Sequence, residues 1–295
     1  MSNKGLIHRG ETQHLDELAR ASAPGKFIEL PDGMVHYEVA GPSDAQTVVL
    51  IPGFSVPYVI WDPTFEDLVE KGFRVLRYDL FGRGYSDRPD AIYDLELFDR
   101  QLMNLLKTLG NIKLVDLVGL SMGGAISVVF ADRHPEMVRK LCLIDPAGLS
   151  WRQSLTARLA QAPMIGEWIM GLMGEKVLIS NLKDYFHGDQ GYVELKQEFA
   201  NQMKYLGFKK ALLSSLRSGA TSGAEEAYKS VGKQEIPVLL IWGREDQVVP
   251  FELSKKVQEL IPKMEFHIIN EAAHIPHYER PGEVNPILIE FLTRS

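Results

Sequence analysis

Residues 114–125 read LVDLVGLSMGGA. An apolar run ends at Gly119, and a helical pattern rich in small residues begins near Met122. Between them the spacing Gly119-Leu120-Ser121-Met122-Gly123 forms a strand–turn–helix junction of the G-x-S-x-G type. The demand behind the spacing is steric. So tight a turn leaves no room for side chains at the flanking positions, and its central residue takes up strained backbone angles. In return Oγ of Ser121 stands clear at the carboxyl edge of a strand, beside a helix N-terminus that favours developing negative charge. Ser121 is therefore a candidate nucleophile.

Outward from this turn the chain alternates short apolar runs with longer helical patterns. The runs FIEL (27–30), VHYEV (35–39), TVVLI (47–51), RVLRYD (74–79), LVDLVG (114–119), KLCLID (140–145), PVLLIWG (237–243) and EFHIIN (265–270) read as strands. Several are almost wholly apolar, as strands covered on both faces must be. Helical patterns occupy 62–72, 95–110, 122–135, 251–262 and 281–292. In the second, Leu102, Leu105, Leu106 and Leu109 share one face and Gly110 supplies the stop. Such alternation predicts an α/β fold with a mostly parallel sheet. It fails over 150–233, a stretch rich in Leu, Met, Ala and Ser at helical spacing. The expected organisation is a polar extension over 1–25, a core domain over 26–149 and 234–295, and a helical insertion over 150–233.

Composition excludes several classes of function. The chain has 295 residues, 45% of them hydrophobic and 24% charged, which suits a globular protein of one large domain. A net charge of −7 disfavours a general nucleic-acid binder, which needs a basic face. The single cysteine, Cys142, rules out an intrachain disulfide and lies in a strand-like run as a small hydrophobe. The first 20 residues lack the apolar stretch and cleavage site of a secretory signal. The most apolar segment, 162–179, is broken by Glu167, Glu175 and Lys176, whereas a membrane span needs roughly 20 apolar residues. The expectation is a cytoplasmic protein with no integral membrane segment.

A serine hydroxyl needs a base, usually a histidine oriented by a carboxylate, and in this chain order the acid comes before the histidine. Asp246 follows the strand 237–243, at the same sheet edge as the turn. His274 follows the strand 265–270 in EAAHIPHYERP (271–281). His277, three residues on, leads into the last helical pattern and is expected to pack rather than react. Asp145, which also ends a strand, is the competing acid. Glu245 adjoins Asp246 but lies nearer the strand, and Asp79 is expected to brace the glycine turn that follows it.

Together LIPGF (50–54), YDLFGRGYSDRP (78–89), GLSMGGA (119–125), LIDPAG (143–148), WGREDQVVP (242–250) and AAHIPHYERP (272–281) resemble the α/β-hydrolase superfamily, in order and spacing, across residues 27–293. The resemblance implies a nucleophile at Ser121, an acid at Asp246, a base at His274 and a cap domain at the insertion. It also implies an oxyanion hole from the backbone N–H groups of Phe54 and Met122. The residues support that hole independently, since Met122 N–H is the first donor after the nucleophile and Gly53 lets the backbone approach a substrate. The chain departs from the family pattern at Pro52, where His is usual, and at Ala273, where Gly is usual.

The expected reaction is hydrolysis of a carboxylic ester with an apolar, short- to medium-chain acyl group, through an acyl-enzyme. No cofactor and no metal is signalled. Dehalogenases and epoxide hydrolases of this superfamily use aspartate where Ser121 stands. Carbon–carbon bond hydrolases use serine but commonly carry an aromatic residue where this chain has Ile275, and an asparagine where it has Leu120, which ranks them second. Lactonase and cofactor-free haloperoxidase chemistry remain alternatives, and a non-catalytic ligand-binding role ranks last because all three reacting positions are filled. In the insertion, Trp151, Trp168 and Phe186 are the candidates to line an apolar substrate pocket.

Overall fold

The computed structural model describes residues 9–150 and 161–294. The apolar runs become β1 (Lys26–Leu30), β2 (Gly33–Ala40), β3 (Thr47–Ile51), β4 (Arg74–Tyr78), β5 (Val115–Leu120), β6 (Val138–Ile144), β7 (Val238–Gly243) and β8 (Glu265–Ile269). They form one eight-stranded sheet in the order β1-β2-β4-β3-β5-β6-β7-β8. β2 pairs antiparallel with both β1 and β4, and every other neighbouring pair is parallel. Every residue of β3, β5 and β7 is buried, which is why these strands show no alternation of apolar and polar residues. Cys142 lies in β6, fully buried, and desolvation pushes its thiol far up, so it is an inert packing residue.

The helices are α1 (Glu17–Ala21), α2 (Asp62–Glu70), α3 (Leu95–Thr108) and α4 (Met122–Arg133), followed by α5 (Ile165–Leu182), α6 (Tyr192–Gln202), α7 (Phe208–Arg217) and α8 (Glu225–Val231) between β6 and β7. α9 (Leu253–Leu260), the single turn α10 (Pro276–Glu279) and α11 (Pro281–Thr293) complete the chain. The Asp94 side chain starts α3 by accepting the Leu97 N–H at 2.9 Å. The leucines Leu97, Leu102, Leu105 and Leu106 of α3 pack in one core with α4, α8 and α9. The second core joins α2 and α11 to the inward sides of α5, α6 and α7. No strand occurs between β6 and β7 among the described residues. No helix among the described residues is long and apolar enough to cross a membrane.

The polar N-terminal stretch is docked on the insertion. The N–H groups of Thr12 and Gln13 both donate to the Lys204 carbonyl, and Leu206 N–H donates back to Gln13. The buried carboxylate of Glu11 accepts the N–H groups of Gly207 and Lys209 at 2.8 and 2.7 Å, capping the start of α7. A second fastening lies beneath it, where His36 Nδ1 meets Asp79 Oδ2 at 2.7 Å and His36 Nε2 meets the Pro24 carbonyl at 2.5 Å.

Asp79 braces the glycine turn as the sequence suggests. It accepts the N–H groups of Tyr58 and Tyr85 besides His36, and a Cβ on Gly84 would stand 1.9 Å from its Oδ2. Burial alone would raise this carboxyl. The hydrogen bond and charge of His36, with the two backbone donors, outweigh burial and hold it below its ordinary value. Asp79→Asn removes a buried ion-pair partner and should lower the unfolding free energy by about 3 kcal/mol in denaturant titration at neutral pH. Because the native value is depressed, the ionised Asp79 contributes fully above about pH 4, and its contribution is lost as pH falls through the native value. The gap between variant and wild type should therefore narrow in acid.

Candidate active site

Ser121 caps α4 with φ 54° and ψ −120°, in the positive-φ region that β5 and α4 impose between them. The flanking glycines are required by contact. A Cβ on Gly119 would meet Gly123 O and Ser127 Oγ at 2.4 Å, and one on Gly123 would meet Ile51 O at 2.2 Å and Pro52 O at 2.6 Å. Ser121 N–H donates to Ile144 O at 3.0 Å, which ties the turn to the end of β6.

Asp246 lies three residues past β7 and His274 in the loop beyond β8, and the structure brings them together. His274 Nδ1 is 2.8 Å from Asp246 Oδ2, with both side chains almost wholly buried. A carboxylate on Nδ1 keeps the proton there and leaves the lone pair on Nε2, the form a general base needs. Asp246 Oδ1 is fixed by the N–H groups of Val248 and Val249 at 2.8 and 3.0 Å. His274 N–H donates to Tyr185 O, and the Tyr185 ring stands edge-on to the imidazole with centroids 5.1 Å apart.

His277 is elsewhere. It is fully buried in α10 with its ring 4.3 Å from that of Trp61, and burial pushes its pKa down to about 3, so it stays neutral. Asp145 sits one residue beyond β6 and accepts the Gly243 N–H at 2.9 Å. Single ligand-type atoms of Asp145, Asp246 and His274 lie within 4.8 Å of one another. They are also the residues that could offer donors to a cation, but His274 Nδ1 is already spent on Asp246.

Phe54 follows β3, and Met122 opens α4 with no preceding turn to take its N–H. No backbone carbonyl among the described residues outside that helix accepts either N–H. The loop carrying Phe54 is held on two consecutive carbonyls. Arg83 Nε donates to Phe54 O at 2.7 Å, and Gln202 Nε2, from α6, donates to Ser55 O at 2.6 Å. Ser55 Oγ and the Tyr185 hydroxyl are 3.2 Å apart. Arg83 is fully buried, and its other donors go to Phe81 O and Ser215 Oγ. Desolvation brings its pKa down to about 9, so it still carries its charge at neutral pH.

Sequence reasoning misses Arg83, Tyr185, Gln202 and Glu279. Glu279 takes N–H donors from His187, Gly188 and Ala273 and so joins the insertion to the His274 loop. The pocket expectations fare differently. Trp168 is 58% exposed on α5, in company with exposed Ile165 and Met173. Phe186 is buried, but its ring meets Tyr192 and Tyr278 edge-on in the packing between insertion and core. Trp151 lies outside the described residues.

A family model for the alpha/beta hydrolase fold matches residues 46–281. The chain is 30% identical over 287 residues to a 2-hydroxy-6-oxononadienedioate/2-hydroxy-6-oxononatrienedioate hydrolase of Cupriavidus pinatubonensis, covering 90% of this chain and 94% of that protein. It is 28% identical over 217 residues to Lipase 3 of Moraxella sp., covering 71% of this chain and 66% of the lipase. Among solved structures, the enol-lactonase of Burkholderia xenovorans superimposes with a TM-score of 0.77 at 22% identity, over 91% of this chain and all of that one. The chain belongs to the α/β-hydrolase family.

Two substitutions probe the geometry. Gly123→Ala forces a methyl against the carbonyls of Ile51 and Pro52 and should cut hydrolytic kcat/KM by about 10²-fold or more, through displacement of Ser121 and the Phe54 loop. Arg83→Met keeps much of the side chain's volume but loses the Phe54 brace. Steady-state kinetics should show a drop of about tenfold in kcat, the scale of one lost charge-assisted hydrogen bond.

Proposed function

We propose that the protein is a serine hydrolase that cleaves a carboxylic ester of an apolar, short- to medium-chain acyl group. The observation that carries this reading is a serine at positive φ on a strand–helix turn, at the sheet edge where a histidine is paired through Nδ1 to a buried aspartate. In the proposed mechanism His274 Nε2 takes the proton of Ser121 as Oγ attacks the ester carbonyl. The oxyanion rests on the N–H groups of Phe54 and Met122, each worth about 3–4 kcal/mol in the transition state. His274 returns the proton to the departing alkoxide, then activates the water that releases the acid and restores Ser121.

The apolar preference draws on the aromatic and aliphatic side chains with which α5, α6 and α7 meet the core, in particular Met170, Leu195 and Phe199. On this reading α5 to α8 act as a cap over the site. A second reading is favoured by the similarity to the Cupriavidus hydrolase. It takes the substrate to be a 2-hydroxy-6-oxo dienoate cleaved at a carbon–carbon bond, with the same residues in the same roles.

Hydrolysis of p-nitrophenyl esters from acetate to laurate, beside such a dienoate and a simple lactone, separates the two. The expected result is ester turnover that peaks at short or medium chain length and falls by about 10⁴- to 10⁶-fold in Ser121→Ala. Turnover of the dienoate alone moves the assignment to carbon–carbon hydrolysis, and activity that survives in Ser121→Ala overturns both.

A further inference from the structure

Asp145 has a buried oxygen with no partner. Its side chain is wholly buried one residue beyond β6, with φ 43°. Oδ1 accepts the Gly243 N–H, while Oδ2 is buried and makes no hydrogen bond. Next to it, Asp246 has room for one more donor. A carboxylate offers about four lone-pair sites, and three are filled on Asp246, by Val248 N–H, Val249 N–H and His274 Nδ1. One oxygen of Asp145, one of Asp246 and a ring nitrogen of His274 lie within 4.8 Å of one another.

Two ionised carboxylates this close in a dry site repel strongly, and no cationic side chain among the described residues pairs with Asp145. Glu279, the third acidic group acting on Asp145, is already held by the N–H groups of His187, Gly188 and Ala273. Desolvation, then the Asp246 charge, push the Asp145 carboxyl well above its ordinary value, with the Gly243 N–H opposing and Glu279 adding a smaller push.

We propose that Asp145 is held as a neutral carboxylic acid whose Oδ2–H donates to Asp246, which makes it a positioning residue for the His274–Asp246 pair. One proton serves both groups: the orphaned oxygen becomes a donor, and the remaining lone pair of Asp246 is filled. It also keeps a second negative charge away from the base. An anionic Asp145 would bind His274 more tightly in its protonated form, the form that cannot accept the serine proton. The role in catalysis rests on the assignment of Ser121, Asp246 and His274 made above; the protonation of Asp145 does not.

Asp145→Asn is the informative variant, because its amide can donate where the acid donates while Oδ1 still accepts from Gly243. The infrared difference spectrum between wild type and Asp145→Asn at neutral pH should contain the carbonyl band of a protonated carboxyl. Only an ionised carboxylate band in that difference overturns the proposal. In kinetics, Asp145→Ala should lower kcat about tenfold with KM little changed, and Asp145→Asn should recover most of that loss.

The acid limb of kcat/KM should stay in place in Asp145→Asn, since a neutral group replaces a neutral group. Its movement to lower pH by about 1–3 units would mean that a negative charge had been removed beside the base, and the proposal fails. It fails equally if Asp145→Asn is as impaired as Asp145→Ala. Where Asp145→Ala does not fold, the spectrum and the pH profile of Asp145→Asn decide alone. If the wild type hydrolyses nothing, the proposed function fails while the infrared result still tests the protonation of Asp145.

Discussion

A Cβ on Gly123 would stand 2.2 Å from the Ile51 carbonyl, and one on Gly124 would stand 2.6 Å from Pro146 Cβ. The turn that carries Ser121 is therefore a meeting point of three loops, those after β3, β5 and β6. They reach one another only because side chains are missing between them. Buried parallel strands set the height of the loops, since each ends at the same edge of the sheet. The close approach sets their lateral spacing. A Cβ on Gly53 would stand 3.4 Å from Ser121 Cβ, because Gly123 lets β3's exit lie directly on the start of α4.

The insertion is bonded to the loops at that edge. Gln202 takes Ser55 O, Tyr185 takes His274 N–H through its carbonyl and approaches Ser55 through its hydroxyl, and Ser215 takes a guanidinium nitrogen of Arg83. Glu279 closes the circuit from the other side by holding the backbone of residues 187 and 188. The loop bearing the expected oxyanion donor is thus fixed half by the core and half by the insertion. A displacement of α6 or α7 would reach the Phe54 loop directly, through Gln202 and Ser215.

The sheet was legible because eight apolar runs of strand length stood between turn signals, and each strand lies within two residues of its run. The pairing of Asp246 with His274 was legible from chain order and strand ends alone. Less was visible where faces were not marked. α5 is apolar on several sides, so nothing in its pattern tells that Met170 and Gly174 turn inward while Trp168 and Met173 turn out. Arg83 and Gln202 were hidden for another reason. Their partners Phe54 and Ser55 lie 29 and 147 residues away, and a guanidinium with no acid beside it in sequence gives no sign of where it will be buried.

The docking of Glu11 on the start of α7 joins residues 196 and 198 positions apart. Contacts of such separation require most of the chain's loop-closure entropy to be lost before they form, which makes them late events in folding. The insertion must assemble and present the Gly207 and Lys209 N–H groups before residues 9–13 have anything to bind. On a ribosome Glu11 emerges 196 and 198 positions ahead of the two N–H groups that it binds, and it stays unpaired until they follow. The polar character of that stretch is thus an advantage in synthesis as well as in the finished fold. A segment that must remain unpaired for so long is safer in water than an apolar one.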